Sequence, residues 1–220
     1  QEPELLAARA RGIPTMSRGE LLADVASTKH LIGVAGAHGK TTASGMAAQL
    51  LVQAGWDPTI VVGGQVRSLG GNARHGRGTY LVAETDESDG SFLLLNPAVA
   101  IVTNIDREHL NHYQTFENLV AAFQRYVRQL GPQGVLIRCE DDPIVRDVLS
   151  HPRQMTYGRD ARADVRVTSM RMAGLRSEFT ATFQGQQLGT FRLKVPGAHN
   201  VINALAVISL GLVLDIPMAC

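Results

Sequence analysis

Apolar residues in this chain follow three rhythms, each of which predicts a different element. Consecutive apolar runs at 31–35, 59–62, 80–83, 99–103 and 134–138 do not alternate with polar positions, which is the pattern of strands buried on both faces of a parallel sheet. Apolar residues at helical spacing mark 41–54 through Ala47, Leu50, Leu51 and Ala54. The same spacing marks 115–130 through Phe116, Leu119, Val120, Phe123, Val127 and Leu130. Thr115 stands ready as an N-cap there, and Gly131-Pro132 stops the helix. A last helix over 199–214 carries Val201, Ala204, Leu205, Ile208 and Leu212 inward. From residue 163 the period becomes two: Val165/Val167, Phe179/Ala181/Phe183 and Phe191/Leu193/Val195 read as half-exposed antiparallel strands. The predicted fold class is α/β: a mostly parallel sheet flanked by helices, with a small antiparallel subsheet. Asp142-Pro143 opens a further short helix. Two more, at 4–11 and 18–26, are too short to bury a core alone; the second has Leu21, Leu22 and Val25 on one side.

Composition narrows the function more by exclusion than by indication. With 21 basic and 20 acidic residues the chain has a net charge of +1, and no Lys/Arg block of the kind that grips a phosphate backbone, so nucleic acid is not an expected partner. No apolar window reaches the length of a membrane span, and Gln1-Glu2-Pro3-Glu4 lacks the basic and apolar regions of a signal peptide. Cys139 and Cys220 share no metal-ligand spacing, consistent with a reducing, cytoplasmic setting. Lysine occurs only at Lys29, Lys40 and Lys194, which draws attention to Lys40.

Lys40 belongs to Gly33-Val34-Ala35-Gly36-Ala37-His38-Gly39-Lys40-Thr41-Thr42, between a predicted strand and a predicted helix. In such a P-loop the glycines let backbone N–H groups turn inward around a phosphate, the lysine adds positive charge, and the threonine hydroxyl can hold Mg2+. The strict pattern wants glycine where Val34 stands; the glycines fall instead at 33, 36 and 39. A second cluster, Glu84-Thr85-Asp86-Glu87-Ser88-Asp89, follows the strand ending at Ala83. Four carboxylates there repel one another unless a cation offsets them. The reading is either a solvated acidic loop or a metal site, with Glu84, nearest the strand end, as the expected ligand. A third segment runs from Thr103-Asn104-Ile105-Asp106 through Glu108-His109. His109 is structural there, or it completes the Mg2+ site or orients its water. The fourth, Pro196-Gly197-Ala198-His199-Asn200 with Asn203, opens the last helix. His199 or Asn200 could cap that helix, whereas Asn203 lies among apolar neighbours and needs a partner with donor and acceptor edges, such as adenine.

Together these four segments resemble the Mur ligase family, over nearly the whole length and in the order of its central ATP-binding domain. His38, the acidic run continuing into Gly90-Ser91-Phe92, and Cys139-Glu140-Asp141-Asp142-Pro143 are most similar to the branch that joins L-alanine to UDP-N-acetylmuramate. The resemblance implies ATP and Mg2+ as cofactors and an acyl phosphate intermediate in peptidoglycan precursor synthesis in the bacterial cytoplasm. By motif match, Gly36, Ala37, His38, Gly39, Lys40, Thr41 and Thr42 would hold the phosphates, and Thr41, Glu84 and His109 the metal. Asn104, His199 and Asn203 would complete the nucleotide site, and Lys40, Glu84 and His109 would be the catalytic set. The stretch from Gly63-Gly64 to Asn72-Ala73-Arg74 would face the sugar nucleotide. Ala37 replaces the family's threonine, and Glu108 its aspartate. The implied organisation is a remnant of an N-terminal UDP-sugar domain at 1–30, the ATP-binding domain at 31–214 and the start of a hinge at 215–220. On that reading the amino-acid site is in a further domain, and the chain by itself binds nucleotide without ligating. Alternatives are a murein peptide ligase or a folate polyglutamylating ligase on the same scaffold, a P-loop small-molecule kinase, and a non-catalytic nucleotide-binding module.

Overall fold

The consecutive apolar runs form the parallel centre of one ten-stranded sheet in the computed structural model, which describes residues 2–66 and 70–217. In chain order the strands are β1 (His30–Ala35), β2 (Thr59–Val66), β3 (Gly71–Arg74), β4 (Tyr80–Glu84), β5 (Val99–Val102), β6 (Val135–Cys139), β7 (Gln154–Gly158), β8 (Val165–Ala173), β9 (Arg176–Phe183) and β10 (Gln186–Leu193). Their spatial order is β10-β9-β8-β7-β6-β5-β1-β4-β2-β3. Strands β2, β4, β1, β5, β6, β7 and β8 are parallel neighbours, and the β8-β9-β10 meander is antiparallel, as its alternating pattern predicts. The antiparallel part is continuous with the rest, because β8 pairs with β7 through Tyr157 and Val165. Cys220, the last three residues of the expected hinge, and 67–69 of the glycine-rich stretch lie outside the described residues.

Helices α1 (Pro3–Ala10), α2 (Arg18–Ser27), α3 (Lys40–Gln53), α4 (Leu110–Tyr113), α5 (Phe116–Arg128), α6 (Pro143–Val148) and α7 (Ala198–Val213) complete the fold. On one face Ala43, Ala47 and Leu51 of α3 and Val201 and Leu205 of α7 close over Ile32, Val34, Val82 and Ile101. On the other, Leu119, Phe123 and Tyr126 of α5 and Val145 of α6 cover Ala35, Ala100, Val102 and Leu136. Full burial of one such side chain stabilises by roughly 1.5–3 kcal/mol, so the two apolar layers hold the strand ends that carry the loops. Thr115 caps α5 by accepting from the Asn118 N–H, and Asp142 caps α6 by accepting from the Val145 N–H. Both caps fall where the sequence predicts.

Two expectations are corrected. In α2 the buried side is Leu22 and Ala26; Leu21 is 52% exposed and Val25 39% exposed, because the helix leans on β1 and a 3-10 turn at Ser91–Leu94 with its other edge. Val195 lies past the end of β10 and is exposed, so it does not continue the alternation. Gly33 lies in β1, where the apolar run 31–35 predicts a strand: a Cβ built there would lie 2.2 Å from the Tyr126 hydroxyl and 3.0 Å from Thr85 Cγ2. Glycine is required because α5 lays a buried tyrosine against the strand. Gly33→Ala should therefore destabilise by about 1–3 kcal/mol. Adding Tyr126→Phe should recover part of that loss, which chemical denaturation of the two single variants and the double variant can measure. Strictly additive losses would contradict this reason for the glycine.

Candidate functional site

Strand β1 lies between β4 and β5, so the chain leaves it in one direction and returns on the other side. Ligands in parallel α/β sheets collect at the carboxyl ends of strands around such a reversal. Three of the sequence-marked segments leave those ends: the loop after β1, the acidic run at the end of β4 and the Thr103-Asn104 segment after β5. The loop after β1 takes its shape from Gly36 (φ +132°) and Gly39 (φ +86°), backbone conformations that side chains resist. A Cβ on Gly36 would meet the Thr103 hydroxyl at 2.2 Å, and one on Gly39 would meet Asn203 Oδ1 at 2.7 Å. Asn104 clamps the apex. Its Oδ1 accepts from the His38 N–H at 2.8 Å and its Nδ2 donates to the His38 carbonyl at 2.9 Å. The Thr103 hydroxyl donates to that same carbonyl at 2.7 Å. The exposed His38 imidazole stands 3.6 Å from Asp106 and 3.7 Å from Glu108.

Lys40 is folded back into the loop. Its Nζ donates to the Gly36 carbonyl at 2.6 Å and to Glu87 Oε1 at 2.8 Å. The Glu87 side chain is 2% exposed, and its other oxygen, Oε2, is buried with no hydrogen-bond partner among the described residues. Burial raises the Glu87 carboxyl above the usual glutamate range, and Lys40 opposes that shift. His109, at the left-handed residue that caps α4, brings Nε2 to 3.8 Å from Glu87 Oε1. The Tyr113 hydroxyl donates to the Glu87 carbonyl and secures the backbone. Beside this group the Thr41 hydroxyl donates to Glu84 Oε2 at 2.9 Å, and Glu84 also accepts from the Gly63 N–H at 2.8 Å.

Two cavities flank these residues. One of about 360 Å³ is walled by His38, Gly39, Asn104, Tyr157, His199 and Asn203. Asn203 is 7% exposed, and its amide makes no hydrogen bond among the described residues. His199 and Asn200 do not cap α7: Gly197 is the N-cap, and the Asn200 amide donates to the Pro196 carbonyl at 2.6 Å. Cys139 also lines this cavity; burial pushes its thiol up to about 11, so it presents a neutral apolar wall. The second cavity, about 520 Å³, is polar and bounded by Arg18, Thr41, Gly63, Asn72, Glu84 and Asp86.

The model of the Mur ligase middle domain matches residues 34–211. The chain belongs to the Mur ligase family. It is 45% identical, over 99% of its length, to a UDP-N-acetylmuramate–L-alanine ligase of Pelobacter propionicus, and 46% identical over 98% to one from a Geobacter strain. Against the crystal structure of the UDP-N-acetylmuramate-alanine ligase of Thermotoga maritima the TM-score is 0.86 at 28% identity, covering 97% of this chain and 48% of that one. The chain spans about half the length of the curated relatives it matches, 48% and 47% for the two named. Among the described residues no helix is long and apolar enough to cross a membrane.

Within this Mur ligase scaffold the sequence-predicted residues divide into three groups. His38, Gly39, Asn104, His199 and Asn203 meet at one cavity. Asn104 acts there through the loop backbone it holds. Gly36 and Ala37 offer their carbonyls to Lys40, while Thr42 opens on a neighbouring cavity with Met46 and Gln65. The expected metal set does not form one cluster: Thr41 is joined to Glu84, and His109 to Glu87. No group of three or more His, Cys, Asp or Glu with metal-binding geometry is present among the described residues. The buried, unpartnered Glu87 Oε2 is nevertheless a hard oxygen of the kind that Mg2+ takes, as are the Thr41 hydroxyl and the Glu84 carboxylate in the neighbouring pair. Glu87 is the residue that sequence reasoning missed. Asn104→Ala should remove both bonds to His38 and cost the loop about 1 kcal/mol. Hydrogen exchange of the His38 amide should then quicken roughly fivefold; an unchanged rate would mean the loop holds itself.

Proposed function

We propose that residues 31–214 are the ATP-binding unit of a ligase that joins L-alanine to UDP-N-acetylmuramate in the cytoplasmic synthesis of peptidoglycan precursor. The observation that carries this reading is the kinship, over 99% of this chain, with one half of a UDP-N-acetylmuramate–L-alanine ligase, on a site whose glycine loop and a cavity of about 360 Å³ adjoin. The acceptor carboxylate attacks the γ-phosphorus of ATP, ADP leaves, and an acyl phosphate forms. The amine of L-alanine then attacks the acyl carbon and displaces phosphate to give the amide. In the first step the protein's work is positioning and charge neutralisation. The loop amides from Gly36 to Thr42 would hold the β and γ phosphates, and the Lys40 ammonium would join them on turning away from Glu87. The unpaired Asn203 amide offers donor and acceptor edges to the adenine, with His199 beside it in the same cavity. Thr41, Glu84 and Glu87, with His109 alongside, would hold Mg2+, which when bound supplies positive charge to the phosphoryl oxygens. The polar cavity at Arg18, Gly63 and Asn72 is the side from which the acceptor carboxylate approaches. Residues 1–30 would belong to the part that binds the sugar nucleotide, and Asp215 onward to a hinge toward the part that binds the amino acid.

Mass spectrometry of products formed from ATP, UDP-N-acetylmuramate and L-alanine by the full-length protein tests the reading. UDP-N-acetylmuramoyl-alanine with ADP and phosphate is expected; phosphorylated acceptor without amide would point to a kinase. In the same assay Asn203→Ala should raise KM for ATP by on the order of tenfold, the loss of one or two hydrogen bonds, with little change in kcat. Lys40→Ala should lower kcat by a factor of about 100 or more.

A further inference from the structure

The Lys40 ammonium has three N–H donors, and all three are engaged inside the protein: the Gly36 carbonyl at 2.6 Å, Glu87 Oε1 at 2.8 Å and the Ala37 carbonyl at 3.5 Å. The lysine that should meet a phosphate is therefore held by a carboxylate of its own chain. To turn outward it must leave Glu87, and Glu87 is almost wholly enclosed. Among the described residues the ion-pair partners of Glu87 are Lys40 and, at 3.8 Å, His109, which helps only when protonated. Removing the partner of a buried charge is costly because the remaining charge is neither solvated nor neutralised. A polyphosphate arriving beside it adds like-charge repulsion. The unpartnered Oε2 marks where a second cation would take over that charge.

From this geometry we infer that Glu87 is a latch on Lys40 that makes nucleotide binding conditional on a divalent cation. Without the cation, Lys40 stays on Glu87 and the phosphate loop lacks its charge. With Glu87 engaged by the cation, Lys40 is released to the phosphates. The inference deepens the proposed nucleotide site and rests on it. A neutral side chain at position 87 should free Lys40 with no metal present, so removing an acidic residue should improve binding of an anion in exactly the condition where the wild type binds worst.

ADP binding by isothermal titration calorimetry, in EDTA and in Mg2+, tests this on the wild type and on Glu87→Gln. The wild type should bind ADP on the order of tenfold or more weakly in EDTA than in Mg2+, a difference of the size expected for a close charge interaction. Glu87→Gln should bind more tightly than the wild type in EDTA, by about the same factor, and should lose most of the response to Mg2+. Glu87→Asp keeps the charge but draws it back from Lys40; it should show a smaller gain in EDTA and stands in if the amide variant does not keep its fold. A folded Glu87→Gln protein that binds no better in EDTA would overturn the latch, as would a wild-type ratio near one. Absence of ADP binding even in Mg2+ would overturn the nucleotide site with it.

Discussion

A buried ammonium–carboxylate pair, Lys40 with Glu87, joins the loop after β1 to the loop after β4, and the rest of the candidate site is arranged around it. Such a pair is weak evidence for stability, since desolvating two charges can cost as much as their attraction returns. Its value is that breaking it is costly unless something replaces the missing partner. The surroundings keep it intact. Tyr113 fixes the Glu87 backbone, and the Gly36 carbonyl shares the lysine, while His109 waits within 4 Å. A loop built this way is complete without a ligand yet has one carboxylate oxygen unpaired.

The sheet makes this arrangement possible. Strand register sets Val34 opposite Glu84 and Ala35 opposite Val102, so the loops leave β1, β4 and β5 at nearly the same level. Apolar layers on both faces keep those ends from moving: α3 and α7 on one side, α5 and α6 on the other. Where packing is tightest it dictates sequence directly, as at Gly33 beneath Tyr126 and at Gly39 against Asn203. The second close approach also sets the loop after β1 against α7, a helix some 160 residues later in the chain.

Much of this was legible in the residues alone, for identifiable reasons. Consecutive apolar runs and the Gly39-Lys40-Thr41-Thr42 turn carry strong local signals, and Asn203 stood out because an amide among apolar neighbours demands a partner. Strand β7 was not legible: Gln154–Gly158 has only Met155 and Tyr157 as large apolar residues and sits between loops. Strand β3 is a four-residue edge of small and polar residues that exists through its pairing with β2. Glu87 escaped because four carboxylates in six residues look alike by spacing. Tertiary burial separates them, enclosing Glu87 at 1% exposure and leaving Glu84 against Thr41 and Gly63. The role of Asn104 was hidden for the same reason, since its partners lie 66 residues away on the loop it clamps.

The central claim is that Lys40 exchanges its carboxylate for a phosphate only when the Glu87 charge is taken up elsewhere. A crystal structure with ADP and Mg2+, compared with one of the same protein grown in EDTA, addresses it most directly. The account predicts Lys40 Nζ on Glu87 without the metal, and turned to the phosphate with Glu87 engaged by the cation in its presence. Lys40 still bonded to Glu87 with Mg2+ and ADP bound would contradict it.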